Sequence, residues 1–495
     1  MGAYQELERI FAKLHRIGGI SGIMHWDAAV MMPEKSAPER AEQLAFLHSL
    51  HHETLATKKV GEKIQAAKQR AEDLNDWQKA NLRLMEHSWL HATAVDEKLV
   101  VALSKAGSEC EMAWRKARGE NDFKTFAKYM KKVLKLVREM AVAKAEKLKL
   151  SKYDALLDQY DSGRKSVEID AIFSDLKKFL PGFLDKVLTR QKKKKIIPIS
   201  GKFPIATQKQ LGKKMMKKIG FDFAHGRLDT SHHPFCGGGP GDVRITTRYY
   251  EDNFLPSFMG VLHETGHALY EFGLPEKWRT QPVGGALGMS VHESQSLFIE
   301  MQIARSYEFC EFAAPVTAKE FKRPGKEFSA ENLYNTVTCV KPGLIRVEAD
   351  EVTYPAHVIL RYEIEKDLIS GGMEIDDLPE RWSKGMRELL DVKVPNDKDG
   401  CMQDIHWTDG SFGYFPTYTL GAMTAAQLAK AMKKQLPGIM REIQRGDFKN
   451  MRKWLAENLH SHGSHYTAEE LLKKSTGSAL NASAFKEHLQ NRYLP

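Results

Sequence analysis

The chain has 495 residues, 42% of them apolar, enough for one large domain or several ordinary ones around a sizeable core. No stretch approaches the roughly 18 consecutive apolar residues of a membrane span, so no membrane partner is expected. The net charge is +10, which by itself identifies no partner and can steer acidic peptides at long range.

The opening MGAYQELERIF reads as an amphipathic helix, without the basic-then-apolar pattern of a leader. Between Pro38 and Pro181 there is no proline, and the span is rich in Ala, Leu, Lys, Glu and Gln, the strong helix formers. Phe126, Met130, Val133 and Val137 recur at helical spacing, with Asp122 as a plausible N-cap. Helical hairpins are therefore expected over roughly the first 180 residues. The run Lys192 to Lys195 has no aromatic neighbour on which a base could stack, and no nucleic-acid fold motif accompanies it. It reads as a solvated loop, and nucleic acid is not an expected partner.

From Phe221 to Tyr250 the chain turns to His, Gly and aromatic residues. Here CGGGPGD is expected to be a loop and VRITTRYY a strand. Helices resume over 258–273 and 293–312. No fixed-period repeat and no Pro/Gly/Ser linker appears. The expected fold is thus mainly α, a single body over 1–495 with a small β-sheet near its middle, the N-terminal helices, roughly 1–75, forming a flap. Five scattered cysteines (Cys110, Cys236, Cys310, Cys339, Cys401) without a CxxC pair fit a reducing compartment, and a cytoplasmic location is expected.

The strongest chemical signal is GVLHETGHALYEFG. His263 and His267, four apart, share one face of a helix and can bind one Zn²⁺. Glu264, beside the first ligand, is the expected general base, as in metalloproteases. The metzincin pattern fails, since Tyr270 and Gly273 stand where its Gly and His belong. Glu271 lies about 12 Å along the axis from His263, too far to complete the site. A carboxylate from a second helix is required. Glu293 is the first choice, Glu300 the alternative. Two surface histidines on a helix are the bland reading of the pattern.

With these residues in view, the chain resembles the metallocarboxypeptidases named after carboxypeptidase Taq, along most of its length. The resemblance rests on HETGH, on HESQS with Glu293 26 residues after His267, on HPF (His233 to Phe235), DVRIT (Asp242 to Thr246) and IRVEAD (Ile345 to Asp350). It continues through GCMQDIHW (Gly400 to Trp407) into DGSFGYFPTYTLGAM, and back to HWDAAVMMP (His25 to Pro33) with Arg40 and Gln43, where Ala28 to Met31 depart from the family. It implies a homodimeric, mainly α-helical fold with a deep groove beside the N-terminal helices. It implies release of single residues from peptides with a free C-terminus, with zinc or cobalt as the metal.

Peptide hydrolysis also needs a donor for the developing oxyanion. His233, His406, Tyr414 and Tyr418 are candidates, each also readable as a turn or core residue. A free carboxylate suits the two-pronged fork of an arginine. Arg346 leads, ahead of Arg244 and Arg361; its alternative is a structural ion pair with Glu348 or Asp350. Gln403, counted with the substrate-binding group, and Asp404 stand where they would hold His406 or a metal ligand from behind. A zinc oligopeptidase cutting internal bonds is the competing enzyme. A non-catalytic zinc protein is disfavoured by Glu264, for which a structural site has no use.

Overall fold

A computed structural model describes residues 2–495; Met1, which opens the first expected helix, lies outside the described residues. The chain is 69% helical with one three-stranded sheet, as the helix-forming composition leads one to expect. The N-terminal region holds α1 (Ala3–Val30), α2 (Ala37–Leu55), α3 (Lys58–Gln69), α4 (Asp76–Thr93), α5 (Glu97–Glu120) and α6 (Phe123–Leu148). Polar side chains set several of the starts. Thr57, Asn75, Asp96 and Asp122 each accept a backbone N–H from the first turn that follows, a contribution of about 1 kcal/mol per cap. Helices α1 to α4 bury Leu7, Phe11, Ile64, Leu82 and Met85 in a small core of their own.

Next come α7 (Lys152–Leu157), α8 (Ser166–Gln191) and α9 (Ile205–Ile219), then β1 (Gly226–Thr230), β2 (Cys236–Gly239) and β3 (Asp242–Thr247). β3 is central, parallel to β1 and antiparallel to β2. The CGGGPGD segment is thus not wholly the expected loop: Cys236 pairs with Ile245 and Gly239 with Asp242. Glycine admits this pairing. Gly238 has φ +85°, and a Cβ there would overlap the Asp242 carbonyl oxygen. Val243 and Ile245 pack against Val261 and Ala268 on α10 (Leu255–Gly273), so the sheet braces the helix with the HETGH motif.

The remaining chain runs through α11 (Met289–Leu297), a π-helical turn (Phe298–Ala304), α12 (Tyr307–Phe321), α13 (Ala330–Val337), α14 (Tyr354–Ser370) and α15 (Leu378–Leu390). It ends with α16 (Pro416–Gln435), α17 (Ile439–Gln444), α18 (Lys449–Asn458), α19 (Ala468–Thr476) and α20 (Ser483–Tyr493). The one helix expected over 293–312 is broken in three. The Arg305 N–H reaches back five residues to the Glu300 carbonyl, and the Ser306 hydroxyl then caps a new helix at Phe309. α20 is tied back to this region. The buried Glu351 accepts hydrogen bonds from Arg492 (2.9 Å) and Tyr493 (3.0 Å) and meets His488 at 2.6 Å, while Arg492 also donates to the Met301 carbonyl at 2.6 Å. Among the described residues no helix is long and apolar enough to cross a membrane.

Candidate active site

Three helices meet around one cluster. α10 presents His263 and His267 from one face, with Glu264 between them in sequence. α11 approaches α10 at Gly266, where a Cβ would lie 2.6 Å from Ser296 Cα and overlap the Gln295 carbonyl oxygen. α16 approaches α11 at Gly421, where a Cβ would come within 2.9 Å of Glu293 Cγ. Two missing methyl groups therefore decide where Glu293 can stand.

Glu293 Oε2 lies 3.8 Å from His263 Nε2 and 3.4 Å from His267 Nε2. A tetrahedral ion with bonds of about 2.0–2.1 Å keeps its ligand atoms about 3.3–3.4 Å apart. Donor type, number and separation thus fit a divalent metal with one position left open. Gly266→Ala is expected to force α11 off α10 and weaken metal affinity about 10–100-fold, the loss typical of a disturbed ligand support; competition against a chromophoric chelator measures it.

The far sides of the imidazoles are also held. Glu300, the alternative ligand, turns to the other nitrogen: its Oε2 lies 3.0 Å from His263 Nδ1, and its Oε1 accepts from Arg305 at 2.7 Å. His267 Nδ1 donates to the His292 carbonyl oxygen at 3.1 Å. The His292 ring stacks on His267 with centroids 4.6 Å apart, and its Nε2 meets Glu271 at 2.9 Å. Such partners fix the tautomer and aim the free nitrogen at the metal position.

The electrostatics favour a cation. Glu264 is only 5% exposed; burial, aided by Glu293 and Glu300 against the pull of His263, pushes its carboxyl up to about 7. Burial opposes charge on His263, but Glu293, Glu300 and Glu264 outweigh it and hold that imidazole up to about 10. At His267 burial and the neighbouring His292 prevail, and the ring is pushed down to about 4. The carboxylates thus keep one proton on the histidine pair.

The other candidate residues separate into two groups. Tyr414 and Tyr418 pack ring to ring at 5.3 Å, and Tyr418 lies one turn before Gly421 on the face that meets Glu293. His406 Nε2 lies 3.3 Å from the Tyr418 hydroxyl, and burial with the charge of Arg346 pushes the ring down to about 4. Arg346 belongs to the same aromatic group, stacked over Phe415 and Tyr418. Its guanidinium donates to Asp404 Oδ1 (3.1 and 2.8 Å) and to the Tyr354 hydroxyl (2.8 Å).

The structural ion pair weighed for Arg346 therefore exists with another partner than Glu348 or Asp350. Asp350 is occupied by the backbone N–H groups of Lys341, Val352 and Thr353. Arg361, fully buried, donates to the second oxygen of Asp404 at 2.6 Å. Two guanidiniums share one carboxylate.

His233, Gln403 and Arg244 stand apart. The His233 ring is exposed and packs on His232. Gln403 spends its amide on backbone: its oxygen accepts the Arg346 N–H at 2.8 Å and its nitrogen donates to Leu344 at 2.9 Å. Arg244 pairs with Asp242 and stacks 4.3 Å over Trp26 of α1, which Arg227 covers at 4.6 Å. That clamp ties the HWD segment to the sheet.

Sequence reasoning missed Glu365. It is fully buried and accepts from Trp407 (2.9 Å), Tyr153 (2.8 Å) and the Gly413 N–H (3.0 Å), so it holds the loop between His406 and Tyr414. Its neighbours Arg361, Glu363, Lys366 and Asp367 in α14 are charged as well, so nothing in the sequence marks it out among them. A cavity of about 650 Å³ lies between Leu14, Gly18 and Gly22 of α1, the hairpin at Gly239 and Asp242, and Glu271, the partner of His292; none of His263, Glu264, His267 and Glu293 lines it.

A helical body that holds two histidines and a carboxylate around a buried glutamate has the parts of a metallopeptidase. The profile of the carboxypeptidase Taq (M32) metallopeptidases matches residues 6–493, and the chain belongs to that family. It is 38% identical to thermostable carboxypeptidase 1 of Thermus thermophilus, over 99% of this chain and 98% of that one. The fold superposes on metallocarboxypeptidase 1 of Trypanosoma cruzi with TM-score 0.98 and 40% identity, covering 100% and 99% of the two chains. The carboxypeptidase of Pyrococcus furiosus gives TM-score 0.95 and 33% identity over 100% and 99%. The chain is a metallocarboxypeptidase, dependent on a divalent metal and acting on peptides.

Proposed function

We propose that the chain releases single residues from the free C-terminus of peptides, with zinc or cobalt held by His263, His267 and Glu293. The observation that carries this is the convergence of those three side chains, with Glu293 Oε2 3.8 and 3.4 Å from the two imidazole nitrogens and Glu264 buried beside them. The ion supplies Lewis acidity, polarising the scissile carbonyl and lowering the pKa of water. Glu264 takes the proton of the attacking water and hands it to the leaving amine. Tyr414, Tyr418 and His406 supply donors on the Glu293 side for the oxyanion, with His233 and Gln403 in outer roles.

Arg346 reads the terminal carboxylate. Two arginines sharing Asp404 leave one positive charge unmatched, which an incoming carboxylate neutralises. Helices α1 to α3, roughly residues 1–75, form a flap, a reading supported by their packing with α4 in a core apart from the main one. Five free cysteines agree with a cytoplasmic setting. A homodimer follows from the family resemblance.

The test is a short peptide with a free C-terminus beside its amidated twin. Release of the last residue from the free peptide alone, abolished by chelation, supports the reading. Equal cleavage of both twins would transfer the chain to the oligopeptidases. A further expected result concerns protons. To serve as a ligand His263 must give up the proton that its carboxylate neighbours hold on it, so metal loading near neutral pH is expected to release protons, at least about one per chain. Calorimetry in buffers of different ionisation enthalpy reads this directly, without any turnover.

A further inference from the structure

We propose a second divalent-metal site, made by His87, His91 and Asp158, that ties the N-terminal helices to the body of the protein. His87 and His91 stand four apart on α4, so their rings share one face, with centroids 4.5 Å apart. Both Nε2 atoms converge on the same oxygen: Asp158 Oδ2 lies 2.6 Å from His87 and 2.9 Å from His91. The other oxygen of Asp158 is held by the Gly163 N–H at 2.8 Å, which aims Oδ2 at the histidines. The three ligand atoms lie within 4.8 Å of one another. Asp158 is 8% exposed, His91 13% and His87 28%, so the cluster is reachable from one side only.

The donor set is the same as at the 263/267/293 cluster, and imidazole with carboxylate suits zinc and its first-row neighbours. Tetrahedral coordination places ligand atoms about 3.3–3.4 Å apart, so binding opens the present contacts of 2.6 and 2.9 Å by about 0.4–0.8 Å, within reach of a rotation of the Asp158 carboxylate. The Ser162 hydroxyl, 3.2 Å from His87 Nε2, or a water is at hand for a fourth position. The cation facing the cluster is Lys144, held to Gln159; burial pushes its ammonium down to about 8, which eases its loss of charge beside a dication.

The location gives the site a purpose. Asp158 opens the short loop whose Tyr160 carbonyl accepts the Met289 N–H at 2.7 Å and whose Asp161 accepts from Ser290 at 2.8 Å. Those residues begin α11, which carries Glu293. An ion at His87, His91 and Asp158 therefore pins α4 to the segment that leads into the catalytic helix. The inference is independent of which residues hold the first metal, because it concerns a difference in stoichiometry.

Chelated full-length protein is dialysed against Zn²⁺ and its bound metal counted by mass spectrometry. The variants are the pair His87→Ala with His91→Ala, and separately Asp158→Asn, which keeps the side-chain shape. Each is expected to bind one Zn²⁺ fewer than the parent, to lose the corresponding zinc-dependent rise in thermal midpoint, and to keep its cleavage rate within about twofold. If the parent saturates at one ion per chain, or Asp158→Asn binds as many ions as the parent, the cluster is a hydrogen-bonded brace and the proposal fails.

Discussion

Glu264→Gln is expected to lower kcat about 10²–10⁴-fold, the range carried by a positioned general base, while bound metal stays at the parental level. Glutamine keeps the volume and the packing on α10 but cannot accept a proton. The burial that pushes Glu264 up to about 7 sharpens the expectation, since a base with that affinity is well matched to a neutral-pH proton transfer. KM should move little, because the proposed substrate contacts are those of Arg346 and the aromatic group rather than Glu264. Steady-state kinetics beside metal analysis on the same samples decides it. Loss of metal together with activity would instead make Glu264 a support for the ligands.

Asp404→Asn is expected to destabilise the fold by about 3–5 kcal/mol, the cost of leaving a buried charge without its partner. Arg346 and Arg361 are both buried, and each depends on a different oxygen of this one carboxylate. Burial alone would raise the Asp404 carboxyl, but Arg361 and Arg346 outweigh it and hold it well below the usual carboxylate range. A depressed acid stabilises the fold above its unfolded pKa of about 4 and loses that contribution as pH falls through the folded value. The parental advantage over Asp404→Asn should therefore persist at pH 4 and fade only in stronger acid. Urea unfolding from pH 7 downward tests both the size and the sign.

Some of this site could be read along the chain and some could not, for a physical reason. His263, Glu264 and His267 lie within about one turn, where sequence spacing is geometry, and Glu293 stands one turn into the next α-helix, α11. The carboxylate Glu300 was within reach as a residue but not in its role, because a π-helical turn re-aims it at His263 Nδ1 and no composition signal marks that turn. The partner of Arg346 lies 58 residues downstream, while the nearby acids are taken up by backbone N–H groups. Glu365 draws its three donors from distant segments, and spacing says nothing about such a meeting. The overall class was plain from the proline-free helical stretches; the glycine-built strand at Cys236–Gly239 was not, since pairing there depends on the partner strand.

The bond from Arg492 to the Met301 carbonyl spans 191 positions and sets an order of events during synthesis. A ribosome adding about 5–20 residues per second needs about 10–40 s between those two residues. Throughout that interval the π-helical turn beside the histidine ligands lacks its last hydrogen-bond donor, and the apolar face later covered by α20 is open. The nascent chain must wait, with that apolar face uncovered, for Phe485, Leu489 and Tyr493 of α20 to arrive and bury it.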